Sequence, residues 1–408
     1  NITSIGDITI GNGTTTLTTG NAFSIANLTV TAGILQGDDD ITVTSAMTWS
    51  GGTISGTRTL TTNSGVTTTM SASLAATLDT NVTWDNDGTI NWNFSSSDFA
   101  IDGTLNNKSG ADFNLQHTTN NADITGSGTV NNLSGATMTL NAAATDTDFA
   151  PTFNNTGTVT VTQGDLQLNG DGADTGTYTV ASGETLSFFN ASGTRDLQSG
   201  SSISGAGNVN LGGTGTRTIA GTYSVTGTTT LSSGTNTFSS SGTIGMDTLT
   251  VSGGTNTFSS SSLSATGTFT LSGAGTISTS GTDLSISAVD FDLTSTAISA
   301  GAGKVTITQS AGGTIGLGAT AGAMTISDTE LDLISATNVQ IGDGTVGSIT
   351  VDGISNTSVT GTLTLITGGT LGFNTTASSI TNALTFVAGN DVTQTVALTV
   401  GGNASFTT

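Results

Sequence analysis

Chemistry in this 408-residue chain has to come from its acids, because it carries 28 Asp and Glu, one His, no Cys and only five Lys or Arg. A histidine-activated nucleophile would need His117, and a Cys–His arrangement has no cysteine to start from. His117 lies in the polar run QHTTNN, which reads as a solvated corner. A histidine-based metal site fails on the same count. The acids are densest at Asp38-Asp39-Asp40, Asp85/Asp87, Asp171/Asp174, Asp290/Asp292 and Glu330/Asp332. Paired carboxylates are the working groups of glycosidases. Asp290 and Asp292 flank Phe291 and so share a face of a strand. One pair on one coil is not a cleft, and the bases a lyase requires are nearly missing. The chain reads as non-enzymatic. Hard cations take clustered carboxylate and carbonyl oxygens, which makes Asp38, Asp39, Asp40, Asp171 and Asp174 the candidate calcium ligands. GDGADTGTY from Gly170 is the nearest match to a calcium-binding nonapeptide, but it is single and imperfect, and that motif works by repetition. No other cofactor is implied.

The formal net charge is −23. Neutralising phosphates takes clustered Lys and Arg, so nucleic acid is excluded as a partner, and anionic lipid headgroups fail for the same reason. No apolar run is long enough to span a bilayer. The charge reads as solubility, since like-charge repulsion keeps a long all-β surface from sticking to itself.

The elements that would carry these residues come from repeats. GNVNLGGTGTRTI from Gly207, GTTTLSSGTNTF from Gly227, DTLTVSGGTNTF from Asp247 and GTFTLSGAGTI from Gly267 overlay without a gap at a spacing of about twenty residues. Leu211, Leu231, Val251 and Leu271 fall at one place in the copies, and GTNTFSSS occurs verbatim from Gly234 and Gly254. So short a unit cannot bury a face alone; it is stable only when stacked on its neighbours. Alternation of β-branched, Leu or Phe residues with Thr and Ser predicts strands, with Gly and Asn at the corners. The expected fold is all-β: a right-handed parallel β-helix, or β-solenoid, with about 20 residues per coil, which at strand spacing gives a rod on the order of 100 Å. Val251 and its equivalents should point inward and Thr250 outward, and Phe238 should stack on Phe258.

A second repeat family precedes the first, in GTLNNKSGADFNL from Gly103 and GTVNNLSGATMTL from Gly128. The flavour of the repeat changes near residue 45 and again near 280, after which apolar pairs two apart dominate, as in Leu363/Leu365 and Leu398/Val400. No linker interrupts the pattern, so residues 1–408 are expected to form one continuous solenoid. Thr68 to Asp102 is the least regular stretch, expected to hold a longer coil or a small insertion. Thr228/Thr230, Thr248/Thr250 and Thr268/Thr270 predict a two-wide threonine ladder over three coils.

GGTISGTRTLTTNSG (Gly51 to Gly65), GTLNNKSGA (Gly103 to Ala111), SGSSISGAGNVNL (Ser199 to Leu211) and IGDGTVGSITVDGIS (Ile341 to Ser355) resemble the repeats of large secreted bacterial exoproteins and adhesins, meaning filamentous-haemagglutinin-like proteins and autotransporter passenger domains. The resemblance implies a right-handed β-helix, export to the medium or the cell surface, and a stalk, fibre or adhesin role, with host or surface glycans as partners. The Asn-Pro motifs of the secretion domain with which such exoproteins begin are absent. A carbohydrate-binding or carbohydrate-cleaving β-helix is the alternative, and an ice-binding β-helix, suggested by the threonine ladder, a minor one. The chain opens at Asn1 and closes at Thr408 in ordinary strand-and-corner sequence without atypical caps. It is therefore expected either to continue in a longer polypeptide or to stack end to end with other copies. About a dozen Asn-x-Ser/Thr sequons, Asn27, Asn81, Asn132, Asn190 and Asn374 among them, are near chance for so Ser/Thr-rich a chain.

Overall fold

The structure, a computed structural model, describes residues 3–71, 74–118, 122–259, 262–295 and 297–408. Strand accounts for 58% of the chain and helix for 1%. The strands stack in parallel into a β-solenoid of about 19 turns at roughly 21 residues per turn. The chain divides into two compact units, Asn1–Asn208 with Gly213–Thr216, and Val209–Gly212 with Arg217–Thr408.

In the first unit the register between coils follows the alternation of the sequence. Leu60, Trp84, Leu105, Val130 and Phe153 lie in one inward column. Ile90, Phe113, Met138, Val159 and Tyr178 form another. These residues are buried. At about 25 cal/mol per Å² of apolar surface, each such side chain contributes roughly 1.5–3 kcal/mol, realised only because coils lie above and below. The described strands between Thr68 and Asp102 keep the parallel register, and the coil lengthens only to 22–24 residues. Its extra length accommodates aromatic bulk: the Trp49 ring packs on Trp84 at 5.7 Å and on Phe99 at 5.4 Å.

Corners impose the glycines. Gly56 has φ +99°, and a Cβ there would lie 1.9 Å from the carbonyl oxygen of Gly37, itself at φ +134° one coil earlier. Two coil backbones meet at this corner with no room for a side chain.

In the second unit Leu211, Leu231, Val251, Leu271 and Leu293 are in direct register and all buried. Phe238 and Phe258 stack at 4.7 Å with 7° between their planes. Thr250, between the buried Leu249 and Val251, is on the outer face. One coil is enlarged: Ile298 pairs with Ile334. The intervening chain holds the strands Ile315–Gly318 and Met324–Ile326 and the helix Asp328–Asp332. That helix starts in a capping box: Ser327 Oγ accepts from the Glu330 N–H (3.2 Å), and the Ser327 N–H donates to the Glu330 carboxylate (2.7 Å).

Candidate functional site

A parallel coil leaves backbone N–H groups without ladder partners wherever a corner bends the chain, and an unmade buried bond costs about 1–3 kcal/mol. The acids of this chain answer that need. Asp38 accepts from Thr57 N (3.4 Å) and Thr57 Oγ1 (3.0 Å), and Asp40 accepts from Thr59 N (2.7 Å), both on the next coil. Asp39 turns the other way and accepts from Thr19 N and from Gly20 N (2.9 Å) on the previous coil. Three consecutive carboxylates thus strap three coils together. Asp38 and Asp40 are exposed, whereas Asp39 is buried. The Thr19 N–H, above all, holds its carboxyl below the usual carboxylate value. Beneath them Arg58 is buried, donating Nε–H to Ser55 O at 3.1 Å. Burial lowers its pKa, opposed by Asp39, Asp38 and Asp40.

Asp171 and Asp174 do not form one site. Asp171 is exposed and gives its backbone carbonyl to Arg195 Nη2 (3.0 Å), whereas Asp174 points into the core. There its carboxylate accepts from Arg195 Nη1 and from Asn155 N, each at 2.8 Å. Burial pushes the Asp174 carboxyl up, and Arg195 and the Asn155 N–H pull it back down. Within GDGADTGTY, Asp174 is thus one half of a buried ion pair with Arg195. Among the described residues, no group of three or more His, Asp or Glu is placed to hold a metal ion. Elsewhere carboxylates do the work of Asp38: Asp102 accepts from Ser127 N (3.0 Å), Asp283 from Lys304 N (2.8 Å) and Asp352 from Thr376 N (2.8 Å). Asp85 and Asp87 share Lys108, at 2.9 and 3.6 Å.

Asp290 and Asp292 stand in register with Thr268 and Thr270, closing the threonine ladder. The enlarged coil brings Thr325, Ser327 and Glu330 beside them, around a recess of about 440 Å³. Both Glu330 oxygens are engaged, by Ser327 N (2.7 Å) and Leu293 N (2.9 Å), and Asp290 accepts from Thr325 N (3.2 Å). Asp292 is the carboxylate that stays open to the recess. Burial first, then Glu330 and Asp290, raise its pKa. Phe291 faces the core, so its ring is not offered to a sugar. Sequence spacing hid the meeting of Glu330 with Asp290/Asp292, because a helix in one irregular coil brings them together.

His117 corrects its expectation. It is fully buried, 4.9 Å from the Trp92 ring and 2.6 Å from Thr147 Oγ1. Gln116 is exposed and His117 inward by continued alternation; residues 119–121, the rest of the QHTTNN run, lie outside the described residues.

Two interior features carry no sequence expectation. Asn86, Asn107, Asn132 and Asn155 form a buried amide ladder, each Nδ2 donating to the next Oδ1 at 2.8, 3.0 and 2.9 Å. Thr62 Oγ1 donates to Asn86 at one end, and Asp174 accepts the Asn155 backbone N–H at the other. In addition, three of the five basic residues are inside: Arg58, Arg195 and Arg217. Arg217 donates to Asn236 Oδ1 (2.7 Å) and Ser233 O (2.9 Å), and burial lowers its pKa to about 10.

The fold and its acids define a β-solenoid whose carboxylates serve mainly as backbone acceptors between coils. No protein-family model, curated protein or solved structure matches the chain. No helix among the described residues is long and apolar enough to cross a membrane.

Proposed function

We propose that this is a non-enzymatic structural solenoid, secreted or held at a cell surface, serving as a stalk, fibre or adhesin segment. The observation that carries the reading is where the acids go. Those at Asp38–Asp40, Asp102, Asp174, Asp283 and Asp352 are bonded to backbone N–H groups of neighbouring coils. Carboxylates so engaged hold an array together and are not free for proton transfer. The resemblance of the repeats to exoprotein and adhesin repeats supports the same reading. In such a role copies associate end to end by strand pairing.

The recess at Asp292 favours carbohydrate binding or cleavage as a second reading. Reducing-end release from a panel of neutral, acidic and amino polysaccharides tests both, with Asp292→Asn alongside. The structural reading expects no turnover by either protein. Turnover that disappears in Asp292→Asn would replace it with a glycosidase.

A further inference from the structure

The sequons differ in burial. Asn12, Asn27, Asn81, Asn93 and Asn403 are exposed and Asn154 and Asn374 half-buried, whereas Asn107, Asn132, Asn190 and Asn356 are buried. The buried ones are structural amides. Asn107 Nδ2 donates to Asn132 Oδ1 (3.0 Å) and Thr137 O (2.9 Å), and Asn132 Nδ2 to Asn155 Oδ1 (2.9 Å) and Thr158 O (3.0 Å). Asn190 Nδ2 donates to Gly193 O (3.3 Å) and Asn356 Nδ2 to Ser358 Oγ (3.2 Å). Yet each stands two residues before a serine, so the unfolded chain presents each as an acceptor: Asn107-Lys108-Ser109, Asn132-Leu133-Ser134, Asn190-Ala191-Ser192 and Asn356-Thr357-Ser358.

In N-linked transfer, Nδ2 attacks the anomeric carbon of a pyrophosphate-linked oligosaccharide. The C–N bond forms, the anomeric C–O bond breaks, the amide proton passes to a base of the transferase, and the donor leaves as the pyrophosphate. Once the coil has closed, no transferase reaches Nδ2 of Asn107 or Asn132. Modification therefore happens before folding or not at all. Afterwards a single N–H remains where the ladder uses two, and a hydrated sugar would occupy the space of the next coil.

We propose that N-linked glycosylation and this fold exclude each other: Asn107 and Asn132 are acceptors in the unfolded chain that, once glycosylated, cannot enter the solenoid, so the native protein is made without meeting an N-oligosaccharyl transferase. The inference does not depend on the structural role.

The test is the full chain made by a host with N-linked transfer and by one without, read by glycopeptide mass spectrometry and thermal unfolding. A variant carrying Ser109→Ala, Ser134→Ala, Ser192→Ala and Ser358→Ala removes the buried sequons and keeps every ladder asparagine. Ser109, Ser134 and Ser192 are exposed, whereas Ser358→Ala removes the oxygen that accepts from Asn356 Nδ2 and donates to Leu331 O, so this variant should unfold cooperatively but several degrees below the wild type when both come from the non-transferring host. From the transferring host, the wild type should carry glycan at Asn107 or Asn132 and lose its cooperative transition, and the variant should keep it. Folded wild type from that host, with those asparagines occupied or bare, overturns the proposal. So does failure of both proteins there when both fold in the other host.

Discussion

The coils between Thr83 and Asn155 and those between Thr228 and Leu271 share one plan and are filled differently. In the first set an inward position of each coil is asparagine, giving the ladder Asn86, Asn107, Asn132 and Asn155. In the second set the corresponding strand position is apolar, with Leu231, Val251 and Leu271 in one column and Phe238 on Phe258 in another, and the buried amides shrink to one pair, Asn236 Nδ2 donating to Asn256 Oδ1 at 2.7 Å. An apolar column is non-directional, so any neighbour of similar volume satisfies it. An amide ladder is directional. Each carboxamide needs a donor on one side and an acceptor on the other, and the run must end on partners that complete it. Thr62 and the Asp174–Arg195 pair lie at those ends. The apolar coils should therefore tolerate changes of shape and the amide coils should not, while neither tolerates charge.

The largest effect expected is in the apolar column. Val251→Asp buries an unpaired charge between Leu231 and Leu271 and should cost about 4 kcal/mol or more, whereas Thr250→Asp on the outer face should stay within about 0.5 kcal/mol. Equal shifts in thermal unfolding would overturn the inward–outward assignment. Next comes the end of the ladder. Asp174→Ala strands the fully buried Arg195 and should cost about 3–5 kcal/mol. Adding Arg195→Met should restore part of that in denaturant titrations; a double variant worse than the single one would contradict the pairing. Within the ladder, Asn132→Leu leaves the Asn107 donor and the Asn155 acceptor short of a partner and should cost about 1–3 kcal/mol. Phe258→Leu in the stacked pair should cost about 1 kcal/mol. The reverse order would remove the distinction between the two regions.

Much of this interior was written in the alternation. Arg58-Thr59-Leu60, Arg195-Asp196-Leu197 and Arg217-Thr218-Ile219 each place arginine two residues before an inward apolar side chain, hence on the same face. Leu105/Asn107, Val130/Asn132 and Phe153/Asn155 obey the same rule. The coil period, the inward column through Val251 and the Phe238–Phe258 stack were legible because they rest on that period alone. The burial of the polar residues was not, because residue type argues for solvent and only the stacked partner repays desolvation. His117 misleads in the same way: its polar neighbours point to a corner, while its phase sets it against Trp92. The recess at Asp292 was illegible for another reason, since Glu330 reaches it through an enlarged coil that breaks the repeat.

The smallest effect expected is on pH. Burial, followed by neighbouring acids, raises the carboxyls of Asp123 in the first unit and Asp292 in the second. A raised acid favours the protonated folded form, so its contribution is fully present below the ordinary value of 3.8 and is lost as pH rises through the higher folded value. Asp39, held low, has the opposite sign: its contribution is present above 3.8 and is lost as pH falls through its lower folded value. The unfolding midpoint should therefore rise modestly as pH is lowered from neutrality towards 3.8 and turn down only below it. A steady fall over the same approach to 3.8 would show that the acid clusters are net stabilising as charges.

The claim that the carboxylates serve the backbone is tested most directly at Asp38, Asp39 and Asp40. The measurement is the thermal unfolding midpoint of the wild type and of Asp38→Asn/Asp39→Asn/Asp40→Asn, each with and without millimolar calcium. A bound ion raises the midpoint by mass action. The account predicts that calcium leaves both proteins unchanged and that the triple substitution lowers the midpoint in either condition, because weaker acceptors then face Thr19, Gly20, Thr57 and Thr59. A calcium-dependent rise in the wild type that vanishes in the variant would contradict it.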